Sequence, residues 1–407
     1  MESLRRSIEA LASRHEALRT RFIVIDESPY QCIDTTAESR LRIIDICDPH
    51  SRTTDSQLNS LIQEFIDEKP PLLSSPLFDA RIFRARDGEH VLVVVIDHMV
   101  SDGASNGILV RELWTLYEQA IHGQPFSLPP LTVQFPDYCV WHRHAEDAWM
   151  REHSSYWLTH LSGASRLAIP SDCGMRAASS GTGLTMHIPL GIELSRRLES
   201  VANQQQTPLA LLVLAAYVFV LSRWFRRQDI LMPVLSHGRH GHPELRNVVG
   251  FISQTLHLRI LVDHAQTFRD LLSQIQTEFG MAVQHQDFDR VPDLIPECQT
   301  ELNFHWRPKH WSGGGNSRLR SPMIPIKLRP FMIRLTDWPW KFWPVFYHTP
   351  AGIGVTINYK PDCLAERTIR QFGEKLRWAA DTIVDRPFER LDCKSGAWRP
   401  MNVVSDG

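Results

Sequence analysis

The apolar positions alternate between helical and strand spacing, and the densest short run is Val91 to Ile96. Six apolar residues, rich in β-branched side chains, are too few for a core helix and predict a strand buried on both faces. Asp97 and His98 follow it, then Asp102 and Gly103, and helical spacing resumes over about Ala104 to Ala120. In that helix Ile108, Leu109, Leu113, Leu116 and Tyr117 share one side, and Gly123 is the expected stop. Upstream, the run from Phe78 predicts a hairpin partner, with Asp87-Gly88 expected as a type I′ turn because both central residues need positive φ.

The same reading extends along the chain. Leu4, Ile8, Leu11, His15, Leu18 and Phe22 predict one face of an opening helix. Leu41 to Ile46 reads as extended, and Gln57 to Glu68 as a helix closed by Pro70 and Pro71. Pro125 to Pro136 reads as a loop ending in FPDYCVWHR, Phe135 to Arg143, with a helix from Ala145 to Leu161. Ser162 to Gly183, rich in small residues, is expected to cross between two lobes. Beyond it come a strand at Leu184 to Ile188, a helix at Ile192 to Gln204, and an almost wholly apolar helix opened by Thr207-Pro208. Strands at Ile230 to Leu235, Phe251 to Val262 and Ile353 to Tyr359 flank a helix at Phe268 to Gln284. A loop at Gly313 to Gly315 precedes the last strand, and a final helix is striped by Ile369, Phe372, Leu376 and Ile383. This divides the chain into an N-terminal lobe at 1–165, a crossing segment at 166–183 and a C-terminal lobe at 184–407.

Composition narrows the class. The 407 residues, 43% hydrophobic and 22% charged, fit an ordinary globular protein of two lobes. A formal net charge of −2 gives no electrostatic basis for a nucleic-acid partner. No apolar run is long enough to span a bilayer, and the start lacks the core of a signal peptide, so no membrane partner is expected. Seven cysteines with no CxxC pair fit a reducing compartment, most simply the cytoplasm, and give no cysteine-ligated zinc site.

His98 leads the candidate chemistry: an imidazole at a strand end is held firmly yet reachable, and imidazole titrates where an amine or alcohol proton is taken at neutral pH. Asp102 reads as a second catalytic acid or as a carboxylate that caps the next helix, and its position favours capping. Gly103 fits a backbone constraint or close approach of substrate. The run His237 to His242 is a loop after a strand rather than a metal site, since no carboxylate or cysteine set accompanies it at ligand spacing. Trp311, Trp338, Trp340 and Trp343 read as core or lobe contacts, with a binding wall as the alternative.

Several of these stretches, in this order, resemble the condensation domains of nonribosomal peptide synthetases, in the chloramphenicol-acetyltransferase-like superfamily. Asp97 to Gly103, DHMVSDG, resembles the signature HHxxxDG with Asp97 in place of the first His. RHEALRTRF (Arg14 to Phe22), FPDYCVW (Phe135 to Trp141) and GFISQTLHLR (Gly250 to Arg259) resemble RHExLRTxF, YxDYAVW and GxFVNTxxxR. His285-Gln286-Asp287 opens an HQDxPFE-like motif that then diverges.

The resemblance implies an α/β fold of two chloramphenicol-acetyltransferase-like lobes in a V shape, mixed sheets with helices, and an active site at the lobe junction. It implies no metal and no cofactor bound by the enzyme itself. A phosphopantetheine arm is delivered by an acyl or peptidyl carrier protein as donor, and a second carrier or a small-molecule amine or alcohol is the acceptor. His98 would be the base or would position the reacting groups. Asp97, Asp102 and Gly103 would support it, with Arg259 as our expected partner for Asp102. Ser101, Trp141, Ser253 and Gln254 would line the substrate tunnel. Three departures stand out: the first core motif is absent, Gln254, with Ser253 before it, stands where the family has Asn, and Asp97 with Asp102 and Ser105 also satisfies the heterocyclization motif DxxxxDxxS. With no adenylation or carrier segment in the sequence, the expectation is a free-standing enzyme forming an amide. An ester, a heterocycle or non-catalytic carrier docking are the alternatives.

Overall fold

The structure, a computed structural model, describes residues 1–35, 41–45, 55–68, 73, 77–86, 89–164, 169, 183–286, 303–305, 341–349 and 352–391. The expected Asp87-Gly88 turn, Pro70, Pro71, Gly313 to Gly315, Trp311, Trp338 and Trp340 lie outside the described residues, as does 166–183 apart from Ile169 and Gly183. The chain forms two units, one of Met1–Ala145 with His237–Ser253 and one of Glu146–Ser236 with Gln254–Gly407.

In the first unit α1 (Glu2–Arg14) buries Ile8, Leu11 and Ala12. The periodic pattern predicts helix as far as Phe22, but the helix stops at His15, whose backbone is extended at φ −104° and ψ 109°. A tertiary contact overrides the local pattern here, because the His15 imidazole Nε2 lies 2.8 Å from Glu112 Oε2. A single 3₁₀ turn follows, and Phe22 falls instead in β1 (Thr20–Ile25), paired antiparallel with β2 (Ser28–Ile33). β3 (Leu41–Asp45) runs parallel to the strand after it across α2 (Asp55–Asp67). That strand, β4 (Phe78–Arg86), is the middle of a three-stranded sheet whose far edge is β5 (Glu89–Ile96).

The expectation of a doubly buried strand fails at β5. Val91 to Ile96 is half-buried with Val94 40% exposed, while Ala80, Ile82 and Phe83 of the central β4 are buried. Apolar composition alone does not tell an edge strand from a central one. α3 (Gly103–Ile121) packs Ile108, Leu109, Leu113 and Leu116 into a core that includes Leu11 and Leu18. Leu245, Val248, Val249 and Ile252 belong to the same core, which fixes 237–253 in this unit.

α4 (Phe135–His160) starts ten residues before the expected helix, so FPDYCVW is its opening turns rather than loop. Pro136 suits a first helical turn, and Asp137 accepts a hydrogen bond from Gln134 N at 2.9 Å as a start signal. In the second unit β6 (Leu184–Pro189) and α5 (Ile192–Gln204) lead to α6 (Leu209–Phe225), which begins just after Pro208 rather than at it. α6 is buried almost all round, which accounts for its composition, and no single described helix is long and apolar enough to cross a membrane. β7 (Asp229–Ser236) pairs antiparallel with β8 (Gln254–Leu261), and α7 (Phe268–Gln284) carries a Thr267/Asp270 capping box. β9 (Asn303–His305), β10 (Phe342–Thr349) and β11 (Gly352–Tyr359) complete a mixed sheet in the order β6-β11-β10-β9, covered by α8 (Glu366–Asp385).

Glu112 on α3 is 5% exposed and also takes Arg14 Nε at 2.9 Å. Burial pushes its carboxyl up, but His15 and Arg14 outweigh that and hold it below the ordinary carboxylate range. Its contribution to stability is therefore complete above that range and is lost as pH falls through the depressed value. Glu112→Gln is expected to lose about 3 kcal/mol near neutral pH. Urea unfolding at stepped pH should show the wild-type and variant curves converging in acid.

Candidate active site

The site grows from the end of β5. Asp97 N donates to Leu77 O at 2.9 Å, which ties the strand end down. The Asp97 carboxylate accepts from Met99 N at 2.9 Å and caps one 3₁₀ turn, His98–Val100. Val100 is fully buried and anchors the turn, whereas His98 is exposed. The His98 ring meets the Phe251 ring edge to face, with centroids 4.9 Å apart and planes at 75°. Ser101 is 5% exposed in extended conformation, and its N–H donates to His98 O at 3.4 Å.

Asp102 is the N-cap of α3, and its side chain is wholly buried. Its Oδ1 accepts from Ser105 N at 2.8 Å, Ser105 Oγ at 2.7 Å and Arg239 Nη2 at 3.2 Å. Its Oδ2 accepts from Arg239 Nη1 at 2.9 Å and from Ile252 N and Ser253 N at 3.1 Å. A buried carboxylate is tolerable only when paired and hydrogen-bonded, and here both oxygens are filled. Arg239 is occupied in turn, donating to His237 O at 2.7 Å and Val248 O at 3.0 Å. His237 Nδ1 accepts from Arg239 N at 3.0 Å, which requires a neutral ring. Burial, helped by His240 and Arg239, pushes the His237 pKa down to about 4, so it is neutral at pH 7.

Two glycines allow this close approach. Gly238 has φ +67°, and a Cβ there would sit 1.8 Å from Ile252 O; at Gly250 it would strike the Phe135 ring at 2.1 Å. Gly103 opens α3, is exposed, and is not among the glycines with positive φ, so a left-handed backbone does not explain it.

The structure replaces the expected partner of Asp102. Arg259, on β8 beside β7, donates to Asp229 at 2.8 Å and to the carbonyls of His160 and Ser162 at 3.1 and 2.6 Å. Asp102 is paired instead with Arg239. Trp141 lies on α4, 41% exposed, with its ring edge to His242 at 5.1 Å. Ser253 is held through its backbone by Asp102, and Gln254 begins β8. Neither Ser253 Oγ nor Gln254 Oε1, both buried, has a hydrogen-bond partner among the described residues. The reading from sequence missed the roles of Arg239 and Phe251, and it met Ser105 only as the last position of DxxxxDxxS; the available signal for Arg239 was an arginine between glycines just ahead of core residues. Among the described residues no group of three or more His, Cys, Asp or Glu is placed to hold a metal.

The Condensation domain family matches residues 1–303. The chain belongs to that family. Malpinin synthetase of Mortierella alpina is 30% identical over 297 residues, 72% of this chain but 4% of that protein. The chain spans only 4% to 10% of the length of the curated relatives it matches. Among solved structures, the condensation domain from Monacolin K polyketide synthase MokA is 17% identical with a TM-score of 0.79, over 96% of this chain and 90% of that one. The X-domain solved in complex with OxyB from teicoplanin biosynthesis is 20% identical with a TM-score of 0.75, over 96% and 86%. These likenesses show the chloramphenicol-acetyltransferase-like α/β fold, with its mixed sheets, that this condensation domain shares.

Removing either member of a buried, hydrogen-bonded ion pair leaves the other charge uncompensated. Asp102→Ala and Arg239→Ala are each expected to cost about 3–5 kcal/mol in urea unfolding. The double variant should lose clearly less than the two combined. Arg259→Ala should leave the coupling between Asp102 and Arg239 unchanged in the same cycle.

Proposed function

We propose that this condensation domain transfers an acyl or peptidyl group from a carrier-protein thioester to an amine, forming an amide in nonribosomal peptide biosynthesis. The observation that carries the reading is the exposed His98 imidazole, held on a capped turn four residues ahead of Asp102, whose carboxylate is wholly engaged in structure. The amine nitrogen attacks the thioester carbonyl, a tetrahedral intermediate forms, and the C–S bond breaks. The amine gives up one proton and the departing phosphopantetheine sulfur is released as thiol. His98 takes that proton or orients the amine as it attacks. Asp102 is not the base, because both its oxygens already accept three hydrogen bonds each. Asp97, Asp102 and Ser105 satisfy the heterocyclization pattern for a structural reason: Asp97 caps the turn, and the buried Ser105 hydroxyl bonds Asp102 and Gly250. We assign Ser101, Trp141, Ser253 and Gln254 to the walls around the phosphopantetheine arm and acceptor, and we expect no cofactor beyond that arm.

Intact-mass analysis with acyl-loaded carrier protein and a panel of amines and alcohols tests this reading. Wild type should form an amide. His98→Ala should lose transfer by at least about 100-fold while carrier binding persists. Ester formation, a product lighter by a second water, or carrier binding without turnover would each replace the amide reading, and full activity of His98→Ala would overturn the role of His98.

A further inference from the structure

Phe251 is a large aromatic residue left 48% exposed between Gly250 and the buried Ile252. An exposed ring does little for the core, yet the backbone on both sides of it is hydrogen-bonded to buried side chains. Gly250 N donates to Ser105 Oγ at 3.0 Å, and Gly250 O lies 3.0 Å from the same hydroxyl. On the other side Ile252 N and Ser253 N both donate to Asp102 Oδ2. Gly250 also has no room for a side chain, since an added Cβ would strike the Phe135 ring. The residues that cap α3 therefore set where the Phe251 ring stands, and it stands edge to face with His98.

His98 itself has few constraints. It sits at the start of a single 3₁₀ turn, exposed, and among the described residues its imidazole is met by the Phe251 ring. A reacting group gains rate from being held in one orientation, and a small misplacement is costly. From this geometry we infer that Phe251 is a positioning residue, which holds the His98 imidazole in its working orientation and receives its own position from the Asp102–Ser105 cap. The inference rests on the amide-forming reading above.

Two measurements test it together. Histidine ring proton shifts, with His98 assigned through its loss in His98→Ala, report the aromatic contact directly. Steady-state transfer from acyl-loaded carrier protein to the amine found for wild type reports its consequence. In Phe251→Ala the His98 ring signals should move by the loss of the aromatic neighbour. The same variant should lower kcat about tenfold with KM for the amine within about twofold. Phe251→Tyr, which keeps the ring, should restore both shift and kcat. Unmoved His98 signals in Phe251→Ala overturn the inference, as does an unchanged kcat or a change confined to KM. Absence of amide with wild-type protein contradicts the reading it rests on, and the ring-shift arm still decides whether the contact exists.

Discussion

One buried carboxylate organises the first unit. Leaving Asp102 charged inside the protein would be expensive on its own, because desolvation costs several kcal/mol even after relaxation. The cost is met by Arg239, by the first turn of α3 and by two consecutive amides at Ile252 and Ser253. Asp102 and Arg239 stand 137 positions apart in sequence, so this single contact joins the strand-turn-helix of the opening segment to a stretch that returns much later. Apolar burial of Leu245, Val248 and Ile252 alongside α3 holds that stretch in place, and the carboxylate fixes its register.

Chemistry follows from how the polar groups are spent. Asp97 caps the turn that carries His98, Asp102 caps the helix after it, and the Ser105 hydroxyl is taken up by Asp102 and Gly250. His237 accepts a backbone hydrogen bond as a neutral ring, so a second nearby imidazole is also structural. With these groups occupied in holding backbone, His98 remains exposed against Phe251. Gly238 and Gly250 belong to the same arrangement, since a side chain at either would push apart the backbone that the carboxylate draws together.

Much of this was legible in the sequence for physical reasons that can be named. The end of an apolar strand followed by a helix cap placed His98, Asp102 and Gly103, and α5, α7 and the last helix follow from strong periodicity. Other features depend on contacts that no local pattern carries. α1 stops where His15 turns to Glu112, and β5 is half-exposed because it edges its sheet. FPDYCVW begins a helix although its aromatics, proline and aspartate resemble a loop end. Arg239 was visible only as one residue of a histidine-glycine loop, and the choice between it and Arg259 as partner for Asp102 rests on tertiary structure. Arg259 is committed to Asp229, its near neighbour across the β7–β8 ladder.

The most direct check on the carboxylate as organiser is backbone amide exchange at Ile252 and Ser253, compared between wild type and Asp102→Ala. If Asp102 Oδ2 holds both amides, they exchange slowly in wild type and become fast together in the variant, along with Ser105. Fast exchange at Ile252 and Ser253 in wild type, or protection that survives removal of Asp102, would contradict it.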